Sequence, residues 1–308
     1  MPELPDVELY VEALEERVLG DVLEKIVLGS PFVLRSVEPT VAELEGRKVS
    51  TLRRLGKRVV IGVEGELFLV IHLMIAGRLH WREGLERPDL PKKRGLARLD
   101  FASGSVTLTE AGTKRRAWLR LVSSEEELAS LDPGGLEILS TDFGAFSLVI
   151  RSENHTLKRS LIDPRLFSGI GNAYSDEILH RAKLSPVTWT SRLTDGEIER
   201  LYLATKETLV GWTERLRAAQ EGRFPEKVTA FRDSMAVHGR YNKPCPDCGG
   251  SVQRIRFAAN ETNYCPACQT GGKLLADRGL SRVLKADWPK SLEELEERKA
   301  QHRLDPGG

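Results

Sequence analysis

At 308 residues, 40% hydrophobic and 30% charged, the chain has an ordinary soluble composition and is long enough for two packed cores plus a small appendage. No run approaches the roughly 18 to 20 apolar residues of a membrane span, and acids stand where a signal peptide carries bases and then an apolar stretch, so a cytoplasmic protein is expected. The net charge of +1 argues against an indiscriminate nucleic-acid binder. The charge is nevertheless unevenly placed: residues 1–16 hold six acids and no base, residues 47–60 six bases and no acid, and residues 240–290 nine bases against four acids.

In chain order, Val7, Leu9, Val11, Leu14 and Val18 recur near the helical period, and Pro5 suits a first turn, which predicts an amphipathic helix over 7–19. Short β-branched runs then alternate with glycine and predict strands over 25–33, 48–55, 58–63, 67–73, 98–101, 106–109 and 118–122, with turn signals at 64–65 and 103–104. This half reads as a β-sandwich with flanking helices. The Pro133-Gly134-Gly135 break precedes a change of character near residue 147, after which helical periodicity marks 156–161, 173–182, 195–217 and 228–233. Residues 243–269 are short, turn-rich and cysteine-bearing, and the tail from Ser291 reads as a charged helix. The expected class is α+β multidomain: a sheet domain at 1–133, a helical domain at 147–236, a cysteine hairpin at 237–272 and an extension at 273–308.

The four cysteines form two CxxC corners, Cys245/Cys248 and Cys265/Cys268, separated by residues 249–264. Two such corners complete a closed tetrahedron of thiolates, the pattern of one structural zinc rather than of a disulfide framework. A hairpin this small has little core, so zinc would supply most of its folding free energy. At the other end, a small residue after Met1 favours removal of the initiator, leaving Pro2 with a secondary amine. An α-amino group titrates near about 8, far below a lysine, so a useful fraction is neutral at physiological pH. Such an amine can attack the anomeric carbon of a sugar, form an iminium and promote elimination, with Glu3 as general acid or proton shuttle. Taken alone, Pro2-Glu3 is also ordinary helix-start chemistry.

Beyond these local patterns, MPELPDVEL resembles the N-terminal signature of the formamidopyrimidine-DNA glycosylase and endonuclease VIII family, with Asp6 for the second glutamate. RRLGKRVVI is similar to the segment carrying the family's hairpin lysine, which makes Lys57 a catalytic and DNA-contacting residue. IHLMIAGRL resembles the family strand that sets His72 beside the DNA backbone. KRSLIDPRLFSGIGNAYSDEILHRAKLSP resembles its helix-two-turns-helix motif, which implies DNA contacts at Lys158, Gly171 and Asn172. HGRYNKPCPDCGG and NYCPACQ resemble its zinc hairpin, with Cys245, Cys248, Cys265 and Cys268 as ligands. The resemblance implies a bifunctional glycosylase and AP lyase that excises oxidised bases from damaged double-stranded DNA through a Schiff base on Pro2, in a DNA cleft that needs only a monomer. The GIGN segment before a helix is independently a good anion site. The alternative is a catalytically silent, zinc-dependent DNA- or RNA-binding protein, which would have no need of Pro2, Glu3 and Lys57 together.

The sequence departs from the family at the groups that fill the hole left by an extruded base. Met74-Ile75 stands on the strand, and the following loop, LTEAGTKRRAWL, has no aromatic before Trp118. Met74 or Ile75 is therefore expected to act as the wedge, with Lys114, Arg115 and Arg116 holding the opposite strand. The family's hairpin arginine is replaced by Asn260, and Arg254, Arg256 or Lys273 is expected to take over its phosphate contact. The 221–237 stretch looks short for covering 8-oxoguanine, which leaves oxidised pyrimidines, formamidopyrimidines and abasic sites open. TGGK at 270–273 lacks the spacing of a phosphate loop.

Overall fold

The computed structural model describes residues 1–112, 114–226, 228–229, 231–257, 260–276, 289–295 and 297. The chain divides into two compact units, Met1–Gly135 with Leu209–Ala230, and Leu136–Thr208 with Phe231–Gly308.

The first unit opens on α1 (Leu4–Val18), which has a proline in its first turn and turns Val7, Tyr10, Val11, Leu14 and Val18 into the core. After it come β1 (Val22–Leu28), the short α2 (Val41–Leu44), β2 (Arg47–Leu55), β3 (Arg58–Val63), β4 (Leu67–His72), β5 (Gly77–Glu83), β6 (Gly95–Phe101), β7 (Gly104–Glu110), β8 (Trp118–Val122) and α3 (Glu125–Ser130). The strands run antiparallel in the order β5-β7-β6-β1-β2-β3-β4-β8. The middle joint is thin, with only Val22↔Lys48 and Leu23↔Arg47 pairing β1 to β2. The two four-strand halves therefore fold face to face: Leu79, Leu99, Phe101 and Val106 from one share a core with Val59, Ile61, Leu69 and Ile71 from the other and with Tyr10 and Leu14 of α1. Phe224 and Val228 join the same core. Full burial of such side chains contributes about 1.5 to 3 kcal/mol each.

β3 and β4 read as unbroken apolar runs because both of their faces are covered. Their second face, with Val60, Phe68 and Val70, packs with Val122 and with Leu128 of α3. The strand β5 was not expected from the sequence. It lies at the sheet edge, where Leu79 and Trp81 alternate with Arg78, His80 and Arg82, so its charged face masks the period.

The second unit contains α4 (Phe143–Ser152), α5 (Leu157–Ile162), α6 (Asn172–Arg181) and the long α7 (Asp195–Gln220), whose last residues from Leu209 belong to the first unit. Phe146 is its aromatic centre, with ring centroids 5.1 Å from Phe167 and 5.4 Å from Tyr202. α4 also escaped the sequence reading, although Asp142 caps it by accepting from Ala145 N–H at 2.8 Å. The helix expected over 228–233 is absent among the described residues there. A six-residue run cannot hold itself helical without packing of its own, and Val228 is instead drawn into the first unit's core.

Last come the antiparallel hairpin of β9 (Gln253–Phe257) and β10 (Asn260–Tyr264), and α8 (Pro266–Thr270). Val237 and Val252 are the buried aliphatic residues clustered with Cys245 and Cys265. Of the charged tail, residues 292–295 are helical and Ser291 caps them through Glu294 N–H at 3.2 Å. The rest of that expected helix lies largely outside the described residues. No helix among the described residues is long and apolar enough to cross a membrane.

Candidate functional site

In the first unit the chain terminus is tucked in rather than frayed. Pro2 is buried, Glu3 is 2% exposed, and the Asp6 carboxylate accepts Glu3 N–H at 3.0 Å, which fixes the entry into α1. The shorter Asp6 thus does the reciprocal capping that a glutamate does in many helices. The Met1 amine, which precedes Pro2 here, is held below its usual range, first because burial disfavours the ammonium. Arg78 and Lys57 push it the same way, while Glu3 and Asp6 oppose them. Four charged residues thus surround the amine, and Arg78 was not singled out from sequence. It is the second residue of β5, whose Leu79 N–H reaches the Tyr10 hydroxyl of α1 at 3.3 Å.

Lys57 is half-buried in the two-residue turn between β2 and β3, where Leu55 pairs with Arg58 and Gly56 takes φ 61°. That positive φ is why glycine precedes the lysine. His72, at the end of β4, lies opposite Arg58 on one side and Trp118 on the other. Its Nδ1 accepts Met74 N–H at 3.0 Å, so the ring proton sits on Nε2. Burial, then Arg58 and Lys57, lowers its pKa to about 4, and it stays neutral at physiological pH. The next residues turn tightly, with Gly77 N–H bonded to Leu73 C=O at 2.8 Å; Met74 takes φ 51° and Ile75 stands 59% exposed. A side chain on Gly77 would strike the Leu73 carbonyl oxygen at 2.3 Å, so this turn requires its glycine. Lys114, Arg115 and Arg116 are exposed on the loop before β8. Buried Glu110 anchors that loop by accepting Arg116 N–H at 2.7 Å and Ala117 N–H at 2.9 Å.

In the second unit, Gly171 caps α6 and Asn172 begins it. Asn172 donates through Nδ2 to Glu261 C=O at 2.9 Å. Lys158 is 9% exposed and donates to Asn172 C=O at 2.7 Å and to Asp176 Oδ1 at 2.5 Å, so its charge is spent largely inside the fold. Asp176, with no exposed surface, also accepts His238 Nδ1 at 2.8 Å and Asn263 N–H at 3.1 Å. The adjacent Glu177 accepts the amides of Ala236, Val237 and His238 at 2.7 to 2.9 Å. Burial pushes the Glu177 carboxyl above its usual range and these amides oppose that. Lys158 and Asn172 line a pocket of about 600 Å3 together with Arg159, Trp189 and Arg256. Arg254 lies over the Tyr241 ring at 3.9 Å and pairs with Glu261 at 3.1 Å, and Arg256 pairs with the same carboxylate at 3.3 Å. Exposed Lys273 joins Ser291 in an isolated β-bridge. Asp176, Glu177 and His238 were missed because nothing in a one-dimensional reading pairs a helix carboxylate with a histidine about 60 positions away.

The four cysteines converge. Cys245 and Cys268 sulfurs are 4.0 Å apart, those of Cys248 and Cys265 are 3.4 Å apart, and all four lie within 4.8 Å of one another. Zinc–sulfur bonds of about 2.3 Å in a tetrahedron require sulfur separations of roughly 3.8 Å, so the residues fit one structural zinc. Burial pushes the Cys268 thiol up to about 11 and the Cys265 thiol higher, and a divalent cation reverses that penalty by binding thiolates.

A metal-stapled hairpin fixed along a helix whose positive end lies among cationic side chains is the build of a nucleic-acid-binding unit. Carried in one chain with a buried, charge-tuned amino terminus, it defines a zinc-containing enzyme acting on DNA. Profiles of known families agree: the formamidopyrimidine-DNA glycosylase N-terminal domain matches residues 1–117, its helix-two-turns-helix domain residues 135–216, and the zinc finger found in these glycosylases and isoleucyl-tRNA synthetases residues 242–271. The formamidopyrimidine-DNA glycosylase of Desulfitobacterium hafniense is 33% identical over 281 residues, covering 87% of this chain and all of the relative. That of Thermus thermophilus is 34% identical over 278 residues, covering 88% of this chain and all of the relative. Among solved structures, the Thermus thermophilus protein superposes with TM-score 0.73 at 33% identity, covering 87% of this chain and 98% of its own. The Lactococcus lactis protein bound to DNA containing an oxidised pyrimidine does so with TM-score 0.77 at 26% identity, covering 87% and 100%. The chain belongs to the formamidopyrimidine-DNA glycosylase family. It is accordingly a DNA glycosylase of base excision repair, of a class that is also an AP lyase, with DNA as its partner.

Proposed function

We propose that Pro2, once Met1 is removed, is the nucleophile. Its uncharged nitrogen attacks C1′ of the damaged nucleotide, the C1′–N bond breaks, and the base leaves. The nitrogen gives its proton to the departing base and Glu3 protonates the ring oxygen as the sugar opens, leaving an iminium Schiff base between Pro2 and C1′. Loss of a C2′ proton then expels the 3′ phosphate, and water releases the sugar fragment and restores the amine. Lys57 and the Nε2–H of His72 hold phosphates of the damaged strand. Met74 or Ile75 fills the vacated stack, and Lys114, Arg115 and Arg116 face the opposite strand. Gly171 and Asn172, with Arg254, Arg256 or Lys273, grip the flanking backbone in the second unit, and Lys158, held by Asp176, steadies the start of α6 behind them. The single observation carrying this reading is Pro2 buried beside the buried Glu3 at the start of α1, in surroundings that already hold the Met1 amine low and that removal of Met1 passes to Pro2.

Oxidised pyrimidines, formamidopyrimidines and abasic sites are favoured over 8-oxoguanine. Phe224 and Val228 are committed to core packing, so neither side chain is free to cover a purine. The Lactococcus lactis relative has been crystallised with DNA carrying an oxidised pyrimidine, Fapy-dG or an abasic site. We assign catalysis to 1–133, helix-two-turns-helix DNA binding to 147–236, the zinc hairpin to 237–272 and an extension to 273–308. The enzyme works as a cytoplasmic monomer on damaged duplex DNA. Borohydride trapping on oligonucleotides bearing each lesion tests the chemistry, with mass spectrometry locating the adduct. An adduct on Pro2 is expected. An adduct elsewhere, or efficient nicking by protein that retains Met1, refutes the assignment.

A further inference from the structure

Three residues of α6 spaced four apart, Asn172, Asp176 and His180, lie on one face of the helix, and each meets the C-terminal hairpin region. Asn172 bonds Glu261, Asp176 bonds Asn263, and His180 meets the metal site itself. His180 is 3% exposed, and its Nε2 lies 3.2 Å from Cys245 Sγ and 3.8 Å from Asp247 Oδ2. Just past the helix, Lys183 bonds the same Asp247, which sits between Cys245 and Cys248. Gln269 bridges Cys265 N–H and Leu184 C=O, at 2.8 and 2.9 Å. The end of α6 is therefore bolted to both CxxC corners.

We propose that His180 is a positioning residue of the zinc site, donating its Nε2–H to the Cys245 thiolate so that metal and helix hold each other in place. A zinc-bound thiolate carries excess negative charge and only accepts. A buried N–H aimed at it disperses that charge, lowers the tendency of the sulfur to take a proton and leave the metal, and fixes the direction of its lone pairs. The four sulfurs already close the tetrahedron, so His180 acts from outside the ligand set. The consequence is reciprocal: zinc retention depends on α6, and the order of α6 depends on zinc.

The test uses the zinc-loaded full chain. His180→Phe keeps an aromatic ring without the donor, and His180→Gln keeps an N–H donor at a similar reach. Zinc release to a colorimetric chelator should quicken by roughly 10- to 100-fold in His180→Phe, the range for loss of an outer partner of a metal ligand, and His180→Gln should stay close to the parent. Equal rates in all three proteins, or equal acceleration in both variants, overturn the proposal. Because His180→Phe tests the donor only if it folds, the unmodified protein supplies a second readout. With cadmium-113 in place of zinc, a scalar coupling should appear between the metal and the His180 ring proton through the N–H···S bond, and its absence overturns the assignment. A cobalt-substituted protein whose spectrum shows three sulfurs and one nitrogen would make His180 a ligand and likewise refute the outer role.

Discussion

Replacing Asp176 with alanine probes the centre of the second unit. The carboxylate is fully buried and holds Lys158, which is itself 9% exposed, at 2.5 Å. Removing one partner of a buried ion pair costs about 3 to 5 kcal/mol, because the other charge stays buried and uncompensated. His238 Nδ1 and Asn263 N–H lose their acceptor as well, and each abandoned donor costs about 1 to 3 kcal/mol when no water replaces the partner. Replacing Lys158 by methionine in the same chain removes the stranded charge, so the double variant should recover most of the ion-pair loss and retain only the cost of the two donors. Native-state hydrogen exchange of the α6 amides reads this directly. The single variant should exchange faster than the double variant by roughly two to three and a half orders of magnitude, at 1.4 kcal/mol per tenfold change, and the double variant in turn faster than the parent by the cost of the two donors. If both variants exchange alike, Lys158 is not the group that Asp176 stabilises, and the buried-pair account fails.

Two further outcomes concern the first unit. Because Arg78 helps to hold the Met1 amine below its usual pKa, and loss of Met1 leaves the Pro2 amine facing the same charge, Arg78→Gln should raise the Pro2 pKa. The neutral fraction at a given acidic or neutral pH then falls, and the acid limb of borohydride trapping, measured at saturating DNA, moves to higher pH; an unmoved or downward-shifted limb contradicts the placement of Arg78. For the wedge, alanine at both Met74 and Ile75 should slow excision from duplex about tenfold, a fraction of the few kcal/mol that unstacking costs, while excision from single strands changes little. Equal slowing on both substrates would assign the pair to packing instead.

Much of the fold is legible because it follows from local rules. The apolar runs of β3 and β4, the glycine before Lys57, the helix start at Asn172 and the paired cysteines each announce themselves within a few residues. The elements that were missed fail for identifiable reasons. β5 hides its alternation behind Arg78, Arg82 and Glu83 at a sheet edge, and α4 has a usable cap at Asp142 but a glycine in its first turn. Helical periodicity shows that residues 195–217 form a helix, yet it names no partner for Phe224 or Val228, whose burial depends on a core built from residues 1 to 122. The site divides the same way. Pro2, Glu3 and Lys57 stand out in motifs, whereas Arg78 reaches the chain terminus through tertiary structure, on a strand whose Leu79 meets the Tyr10 hydroxyl across 69 positions.

The same distinction explains how so small a hairpin can hold a defined position. Its buried cluster contains two valines and two cysteines, too little apolar surface to fix its register against a helix. Polar contacts can fix it, because a buried donor or acceptor that misses its partner loses far more than a matched pair gains. Asn172, Asp176 and His180 repeat every four residues along α6, so a displacement of the hairpin by one residue would break all three matches together. This polar stripe thus specifies the docking of the metal-bound hairpin, while the zinc keeps that hairpin rigid enough for the matches to form.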